Sequence, residues 1–220
     1  MGNILHIDTA VDTASFCLMK DGEPLLFDIN NNQKDHAAWL HAAIQKGIAA
    51  TGLTMKDLDA IAISIGPGSY TGLRVGLSAA KGFSFALGIP LITVNTLEMM
   101  AHAVTEEADL ICPMIDARRM EVFTALYDKN LQEVAKPSAM ILDSNSFSDL
   151  AEKNIIAFTG NGSEKLKKIL AHPHAIFNDT MATAKDMVAI AEKKYVEKNF
   201  ANLAYVEPFY IKEFHTTMKL

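Results

Sequence analysis

The chain has 220 residues, enough for one large domain or two small ones, and half of them are hydrophobic. Its formal net charge is −6, so we expect no basic face that binds a nucleic-acid backbone unaided. An N-terminal signal pattern and an apolar run of about 18 residues are both missing, so we expect neither secretion nor membrane binding. Cys17 and Cys112 lie singly in apolar runs and are predicted to be buried free thiols of a cytoplasmic protein.

The first half of the chain alternates strands with helices. Asp21-Gly22 is predicted to turn the chain between two strands, while Asp35 and Thr96 are predicted to cap helices. Strands are predicted at 4–8, 15–20, 24–29, 58–65 and 91–94. Helices are predicted at 36–50, 72–87 and 97–104.

The second half repeats this order. Gly160-Asn161-Gly162 lies between a strand and a helix, as Gly66-Pro67-Gly68 does in the first half, and Thr183 is predicted to cap the last helix. Strands are predicted at 111–116, 121–127, 131–136, 155–159 and 175–177. Helices are predicted at 163–171 and 184–198.

Two related halves of this kind predict an α/β fold of the actin-like/hexokinase type (ASKHA), with two lobes of mixed sheets flanked by helices. The N-terminal lobe is predicted to span residues 1–105 and to bind a partner. The C-terminal lobe is predicted to span 106–220, with the last segment, about 205–220, returning to the N-terminal lobe.

The segment 63–76 is the most informative part of the chain. A β-branched strand runs into Gly66-Pro67-Gly68 and a helical pattern follows from Gly72, so backbone N–H groups and a positive helix end meet at one point, which suits an anion. No Lys follows the last glycine, and the glycine spacing differs from the dinucleotide fingerprint, which excludes both motifs. No GxSxG motif surrounds Ser69, so we expect no hydrolase nucleophile.

The helix that follows is apolar on nearly all sides. Within 72–87 only Arg74 and Lys81 are charged, and Gly76 and Ala80 form a smooth stripe with Gly72. A helix of this kind needs cover on two sides, which predicts a partner chain. The alternative is a crossover helix that is covered by its own chain.

Other candidate side chains have two interpretations each. Asp8 ends the first strand, where this fold class places a phosphate-facing acid, but Ala10 stands at the usual glycine position, so Asp8 alternatively caps the turn. Asp116, Arg118 and Glu121 form either a hinge at the mouth of the cleft or a solvated hairpin connection.

Histidines and nucleophiles do not form a recognisable catalytic set. His36 and His41 are five positions apart on a helix and point about 140° away from each other, so a metal pair is not expected. No Ser/His/Asp or Cys/His set can be assembled without assuming the fold. We therefore predict neither catalytic residues nor a metal site.

Segments spread over nearly the whole chain match one family pattern. They are 7–10, 65–76, 80–82, 88–91, 116–119, 121–123 and 208–211. With His36 at the start of the first helix, they resemble the TsaB (YeaZ) family, the dimerisation subunits of the bacterial machinery for threonylcarbamoyladenosine (t6A) in tRNA.

The resemblance implies an ASKHA fold and a non-catalytic scaffold subunit. This subunit would pair with the catalytic paralogue TsaD, joined by the ATPase TsaE, to transfer a threonylcarbamoyl group to N6 of the adenosine next to the anticodon. It would contact tRNA only through the complex and would form a homodimer when alone. The resemblance implies no cofactor in the isolated subunit, and a nucleotide (ATP or ADP) at the complex interface. The metal-binding histidine pair of the catalytic paralogue is matched only at His36.

Two groups of residues follow. The partner interface is predicted on the first two helices, at His36, Trp39, Leu40, Ala43, Ile44, Leu73, Arg74, Gly76, Leu77, Ala80 and Phe83. A vestigial nucleotide or phosphate site is predicted at Asp8, Thr9, Gly66, Gly68, Ser69, Thr71, Gly72, Gly160 and Gly162.

Two other functions stay open. The first is an active small-molecule kinase or ATPase of the ASKHA type, which would need Asp8 and both glycine turns to hold Mg-ATP. The second is a metallopeptidase, as in the older glycoprotease-like label of the family.

Overall fold

The computed structural model describes residues 2–20, 23–32 and 35–212. Its strands are β1 (Ile4–Asp8), β2 (Ala14–Lys20), β3 (Glu23–Asn30), β4 (Ala60–Ser64), β5 (Leu91–Val94), β6 (Leu110–Asp116), β7 (Glu121–Asp128), β8 (Glu133–Ile141), β9 (Ile156–Thr159) and β10 (Ala175–Asn178). Its helices are α1 (His36–Ala50), α2 (Tyr70–Leu87), α3 (Thr96–His102), α4 (Ser148–Ala151), α5 (Ser163–Lys167) and α6 (Val188–Val196). Short 3-10 turns cover Met55–Asp57 and Ala184–Met187.

The two sheets have the same strand order, β3-β2-β1-β4-β5 and β8-β7-β6-β9-β10. In each, three strands pair antiparallel and two more run parallel to the first strand of the half. The predicted α/β fold of the ASKHA type, with two mixed sheets flanked by helices, is confirmed. We propose the boundary between the lobes near residue 105, just after α3.

The first sheet is covered on both faces, because its central strand β1 is buried along its whole length. Leu5 and Ile7 pack on the side of α1 and α2. Ile4 packs on the opposite side, with residues of α3 and α6. One face of α2 is therefore sealed by its own sheet, as the crossover interpretation expects.

Several predicted boundaries need correction. Thr96 does not cap α3, because Asn95 Oδ1 accepts the N–H groups of Leu97 and Glu98 at 2.9 and 3.4 Å. Asp35 precedes α1 without a side-chain cap bond. The predicted helices at 163–171 and 184–198 are shorter, α4 was not predicted, and β8 begins two residues later than predicted and extends to Ile141. The predicted turn at Asp21-Gly22 lies outside the described residues.

The segment 201–212 follows α6 and lies against the first lobe. The Ala201 N–H donates to the Leu91 carbonyl at 2.8 Å, and the Phe209 N–H donates to the Ile65 carbonyl at 2.7 Å. Lys212 then reaches the second lobe, where its Nζ lies 2.5 Å from Glu121 Oε2. The segment therefore contacts both lobes on the side of the glycine-rich loop.

None of the helices in the described ranges has the length and apolarity that a membrane crossing requires.

Candidate functional site

A cleft of about 750 Å³ lies between the two lobes. The loop after β1, the glycine-rich loop and the start of α2 form its first wall, and the β6–β7 turn forms the opposite wall. Its lining residues are Ala10, Val11, Asp12, His36, Ala37, Gly68, Ser69, Tyr70, Thr71, Gly72, Val75, Ile115, Asp116, Ala117, Arg118, Phe123 and Asn161. Four residues of the predicted phosphate site line it: Gly68, Ser69, Thr71 and Gly72.

One amide side chain ties the two walls together. Asn161 Nδ2 donates to Asp12 Oδ2 at 2.8 Å, and Asn161 Oδ1 accepts the Asp116 N–H at 2.8 Å. Lys165 Nζ also pairs with Asp116 Oδ1 at 2.7 Å. Asp12 and Asn161 line a second cavity of about 240 Å³ as well, so this bridge lies between the two spaces.

Three residues of the predicted phosphate site, Gly66, Ser69 and Gly72, have N–H groups that are already hydrogen-bonded. Their N–H groups donate within the chain, to Thr96 Oγ1 at 3.1 Å, the Ala10 carbonyl at 2.6 Å and Ser69 Oγ at 3.3 Å respectively. A phosphate would have to displace these bonds.

The glycines serve close packing instead. A Cβ on Gly68 would collide with the Ala10 carbonyl, and a Cβ on Gly72 would collide with the Thr9 carbonyl. Thr9 Oγ1 donates to the Gly72 carbonyl at 2.8 Å, which fixes α2 against the end of β1. The second glycine turn is equally tight, since Gly160 and Gly162 both lie against the backbone near Met114. Thr71 is the exposed member of the predicted phosphate set and lines the cleft.

Asp8 is buried and does not line the cleft. Its Oδ1 accepts bonds from the Ser64 hydroxyl and from the Ala10 N–H, the latter at 3.1 Å. Its Oδ2 has no partner among the described residues. Burial raises the pKa of Asp8 from 3.8 to about 6. The side chain therefore forms the turn contact of the alternative interpretation, at an electrostatic cost.

The substitution Asp8→Asn is expected to stabilise the protein at about pH 7.5. Folded Asp8 binds its proton more tightly than unfolded Asp8, so its contribution to the free energy of unfolding falls as pH rises through about 6. Asparagine keeps the Oδ1 acceptor and cannot ionise. We expect a gain of about 1–2 kcal/mol in urea unfolding, reduced by the unpaired amide N–H groups and disappearing near pH 4.

A suitable control is Asp149→Asn, because Asp149 lies exposed on α4. This variant should unfold like the unsubstituted protein at both pH values. Destabilisation of the Asp8→Asn variant at about pH 7.5 would contradict the cost assigned to the buried carboxylate.

The predicted hinge residues lie at the β6–β7 turn. Arg118 has a φ of 72°, and its N–H donates to Asp116 Oδ1 at 2.5 Å. Glu121 pairs with Lys212 of the C-terminal segment. The turn is therefore tied both to Asn161 and to the segment 201–212, a connection that the sequence pattern did not reveal.

His36 and His41 lie apart, as predicted. His36 is buried with its Nε2 unpartnered among the described residues, and desolvation lowers its pKa. His41 is exposed, and its ring meets the edge of Phe83 at 5.4 Å between centroids. Within the described ranges, no three His, Cys, Asp or Glu side chains gather where they could hold a metal ion.

A groove of about 530 Å³ runs between α1 and α2 on the outer surface of the first lobe. Small and apolar side chains form most of its wall, so a protein helix would fit it better than a polar ligand. Its lining residues are Ala37, His41, Arg74, Val75, Ser78, Ala79, Gly82 and Phe83. We name these residues the helix groove.

The structure divides the predicted interface residues into two sets. Arg74 and Phe83 line the helix groove, while Trp39 and Ala43 are partly exposed on α1. The others are buried within the chain and cannot form an outer surface as they stand: His36, Leu40, Ile44, Leu73, Gly76, Leu77 and Ala80. Seven of the eleven predicted interface residues therefore lie on the packed faces of the two helices.

The close approach at Gly76 is internal. A Cβ there would collide with Thr9 Oγ1 and would lie 3.0 Å from Ile63 Cδ1. By contrast, a Cβ on Gly82 would meet nothing within 4 Å. The groove residues missed by sequence reasoning include Ser78 and Gly82, which continue from Arg74 at four-residue spacing. That spacing was the signal that could have identified the outer face.

Comparisons with known proteins agree with this fold. The family model described as "TsaD: tRNA N6-adenosine threonylcarbamoyltransferase" matches residues 29–213. The "tRNA threonylcarbamoyladenosine biosynthesis protein TsaB" of Bacillus subtilis is 32% identical over 170 residues, covering 76% of this chain and 74% of the relative. Its namesake in Haemophilus influenzae is 27% identical and covers 99% of this chain and 96% of the relative.

Solved structures show the same fold. The structure described as "YeaZ from Pseudomonas aeruginosa" has a TM-score of 0.80 at 24% identity, covering 96% of this chain and 100% of that chain. A second Pseudomonas aeruginosa structure, of an uncharacterized protein with similarity to peptidase YEAZ, has a TM-score of 0.83 at 23% identity with the same coverage. The chain therefore belongs to the TsaB family, within the wider group that the TsaD family model describes.

Proposed function

We propose that this chain is a non-catalytic scaffold subunit of the complex that forms t6A in tRNA. It pairs with the catalytic paralogue TsaD, is joined by the ATPase TsaE, and orders the active site that transfers the threonylcarbamoyl group to N6 of adenosine. Its relatives are named for tRNA threonylcarbamoyladenosine biosynthesis, which supports the pathway. The proposal also places the chain in the cytoplasm, away from membranes.

The helix groove is the observation that carries the pairing. The outer face of α2 exposes Phe85 to 83% next to a groove with mostly small and apolar walls. Surfaces of this kind are characteristic of protein interfaces, because covering them removes apolar area from water. The same face would support a homodimer when the partner is missing.

The inter-lobe cleft supports a role without catalysis. Asp8 is buried away from it, and the N–H groups of Gly66, Ser69 and Gly72 are used internally. Asn161 bridges its two walls. An ATP-dependent kinase would need these groups free to bind phosphates and Mg²⁺. We therefore propose that the isolated subunit holds no cofactor, that a nucleotide binds at the complex interface, and that tRNA is contacted through the complex.

The test is reconstitution with TsaD and TsaE of the same organism, using threonylcarbamoyl adenylate as donor and unmodified tRNA as acceptor. We expect transfer at least about tenfold faster in the presence of this chain. Equal rates with and without it would contradict the scaffold role. ATP turnover by the isolated chain that is lost in the Asp8→Asn variant would instead favour the kinase alternative.

A further inference from the structure

The two helices beside the helix groove carry cations and no carboxylates. Their lysine and arginine residues are Lys46 in α1 and Arg74 and Lys81 in α2, and neither helix contains Asp or Glu. The whole chain, by contrast, has a formal net charge of −6. Arg74 lines the groove and no carboxylate among the described residues does, so the groove carries positive charge within an acidic protein.

Arg74 is held in a defined position at the groove. Its Cζ lies 4.0 Å from the centroid of the Tyr70 ring, and its Nε donates to the Tyr210 hydroxyl at 3.1 Å. The Tyr70 and Tyr210 rings lie 5.4 Å apart, so the C-terminal segment and the start of α2 together support the guanidinium. A cation fixed by aromatic rings loses little freedom when it binds a further group.

Among the residues that the structure describes, no carboxylate forms an ion pair with this guanidinium. The ion pairs among the described residues are Lys165–Asp116, Lys167–Glu164 and Lys212–Glu121, and Arg74 takes part in none of them. A guanidinium has five N–H donors and matches a carboxylate with two parallel hydrogen bonds. If a partner covered the groove without supplying a carboxylate, Arg74 would lose its contact with water and gain no opposite charge in return.

We propose that the protein bound at the helix groove presents a carboxylate side chain to Arg74, and that this charge complementarity selects it over a second copy of the chain. The inference rests on the proposed pairing with TsaD and specifies the chemistry of the surface that TsaD contributes. A second copy would bring its own α1 and α2, which offer only cations to Arg74. The homodimer is then disfavoured by like charges, whereas the heterodimer is favoured by opposite charges.

Salt distinguishes the heterodimer from the homodimer, because it should weaken the first and strengthen the second. Raising NaCl from about 50 mM to about 500 mM screens attraction in the heterodimer and repulsion in the homodimer. We expect the dissociation constant of the heterodimer to rise and that of the homodimer to fall. Both are measured by sedimentation velocity on the full chain, alone and with TsaD of the same organism.

The decisive variant is Arg74→Gln, with Lys129→Gln as control for an exposed cation on the second lobe. At about 50 mM NaCl, Arg74→Gln should weaken the heterodimer about tenfold and tighten the homodimer, while the control changes neither. Arg74→Glu should be rescued when the facing partner carboxylate is replaced by lysine. Unchanged heterodimer affinity in Arg74→Gln would overturn the inference while the pairing itself still stands. Failure of the unsubstituted chain to pair at all would overturn the proposed function instead.

Discussion

The Gly82→Arg variant is expected to fold normally but to lose most of the affinity that we propose for TsaD. Gly82 lies in the wall of the helix groove, and a side chain added there meets nothing within 4 Å in the isolated chain. An arginine would fill the space that the proposed partner would occupy and add a second cation to the groove beside Arg74. We expect pairing to weaken about 30- to 100-fold, or about 2–3 kcal/mol, in titration calorimetry.

The matched control for this variant is Ala189→Arg. Ala189 is an exposed alanine of α6, on the opposite side of the first sheet from α1 and α2. The Ala189→Arg substitution places the same side chain on another helix surface, so we expect pairing with TsaD to be unchanged. If Gly82→Arg bound as tightly as the control, the helix groove would not be the docking surface.

The Gly76→Arg variant is also expected to lose pairing, but for a different reason. This substitution disrupts the fold of the chain itself. Its Cβ alone would collide with Thr9 Oγ1, and the rest of the side chain would enter the packed space beneath α2. We expect the free energy of unfolding to fall by about 4 kcal/mol or more, a large part of the stability of a typical domain. Loss of pairing in this variant would therefore carry no information about the interface.

A smaller pair of substitutions tests the same contrast. Gly76→Ala should destabilise the chain in urea unfolding, while Gly82→Ala should stabilise it by up to about 1 kcal/mol, because alanine favours a helix and has room there. Equal effects at the two positions would contradict the internal packing assigned to Gly76.

The sequence was sufficient for the architecture, because hydrophobic periodicity and turn residues act locally. Strands β1 and β5 were predicted to the residue, and α2 was predicted with its end at Gly88, where φ is 69°. The cap of α3 was misplaced by one residue, because Asn95 and Thr96 are both good N-caps and only their backbone geometry decides between them.

The faces of the helices could not be predicted in the same way. Because α2 is apolar nearly all round, only the four-residue spacing of Arg74, Ser78 and Gly82 marks its outer face. The sequence predicts Gly76 in the partner interface, but Thr9 packs against both Gly72 and Gly76 from within the chain. That contact joins residues more than 60 positions apart, so it depends on the tertiary fold.

The residues around the cleft also depend on tertiary contacts that the local sequence does not reveal. Glycine and serine residues predicted an anion site, yet their N–H groups are used by Ala10 and Thr96, both distant in sequence. The position of the Arg74 side chain also depends on a hydrogen bond to Tyr210, which lies next to α2 only in the folded chain. Local patterns therefore identified the important segments, and long-range contacts determined what each segment does.

The most direct measurement is the mass of the species formed when this chain is mixed with an equal amount of TsaD of the same organism. Sedimentation velocity should show a single one-to-one complex that replaces the separate proteins. The Gly82→Arg variant should form much less of this complex at the same concentrations. The contrary result is two independent boundaries for the unsubstituted proteins, each moving as it does alone. That result would contradict the proposal that TsaD binds at the helix groove between α1 and α2.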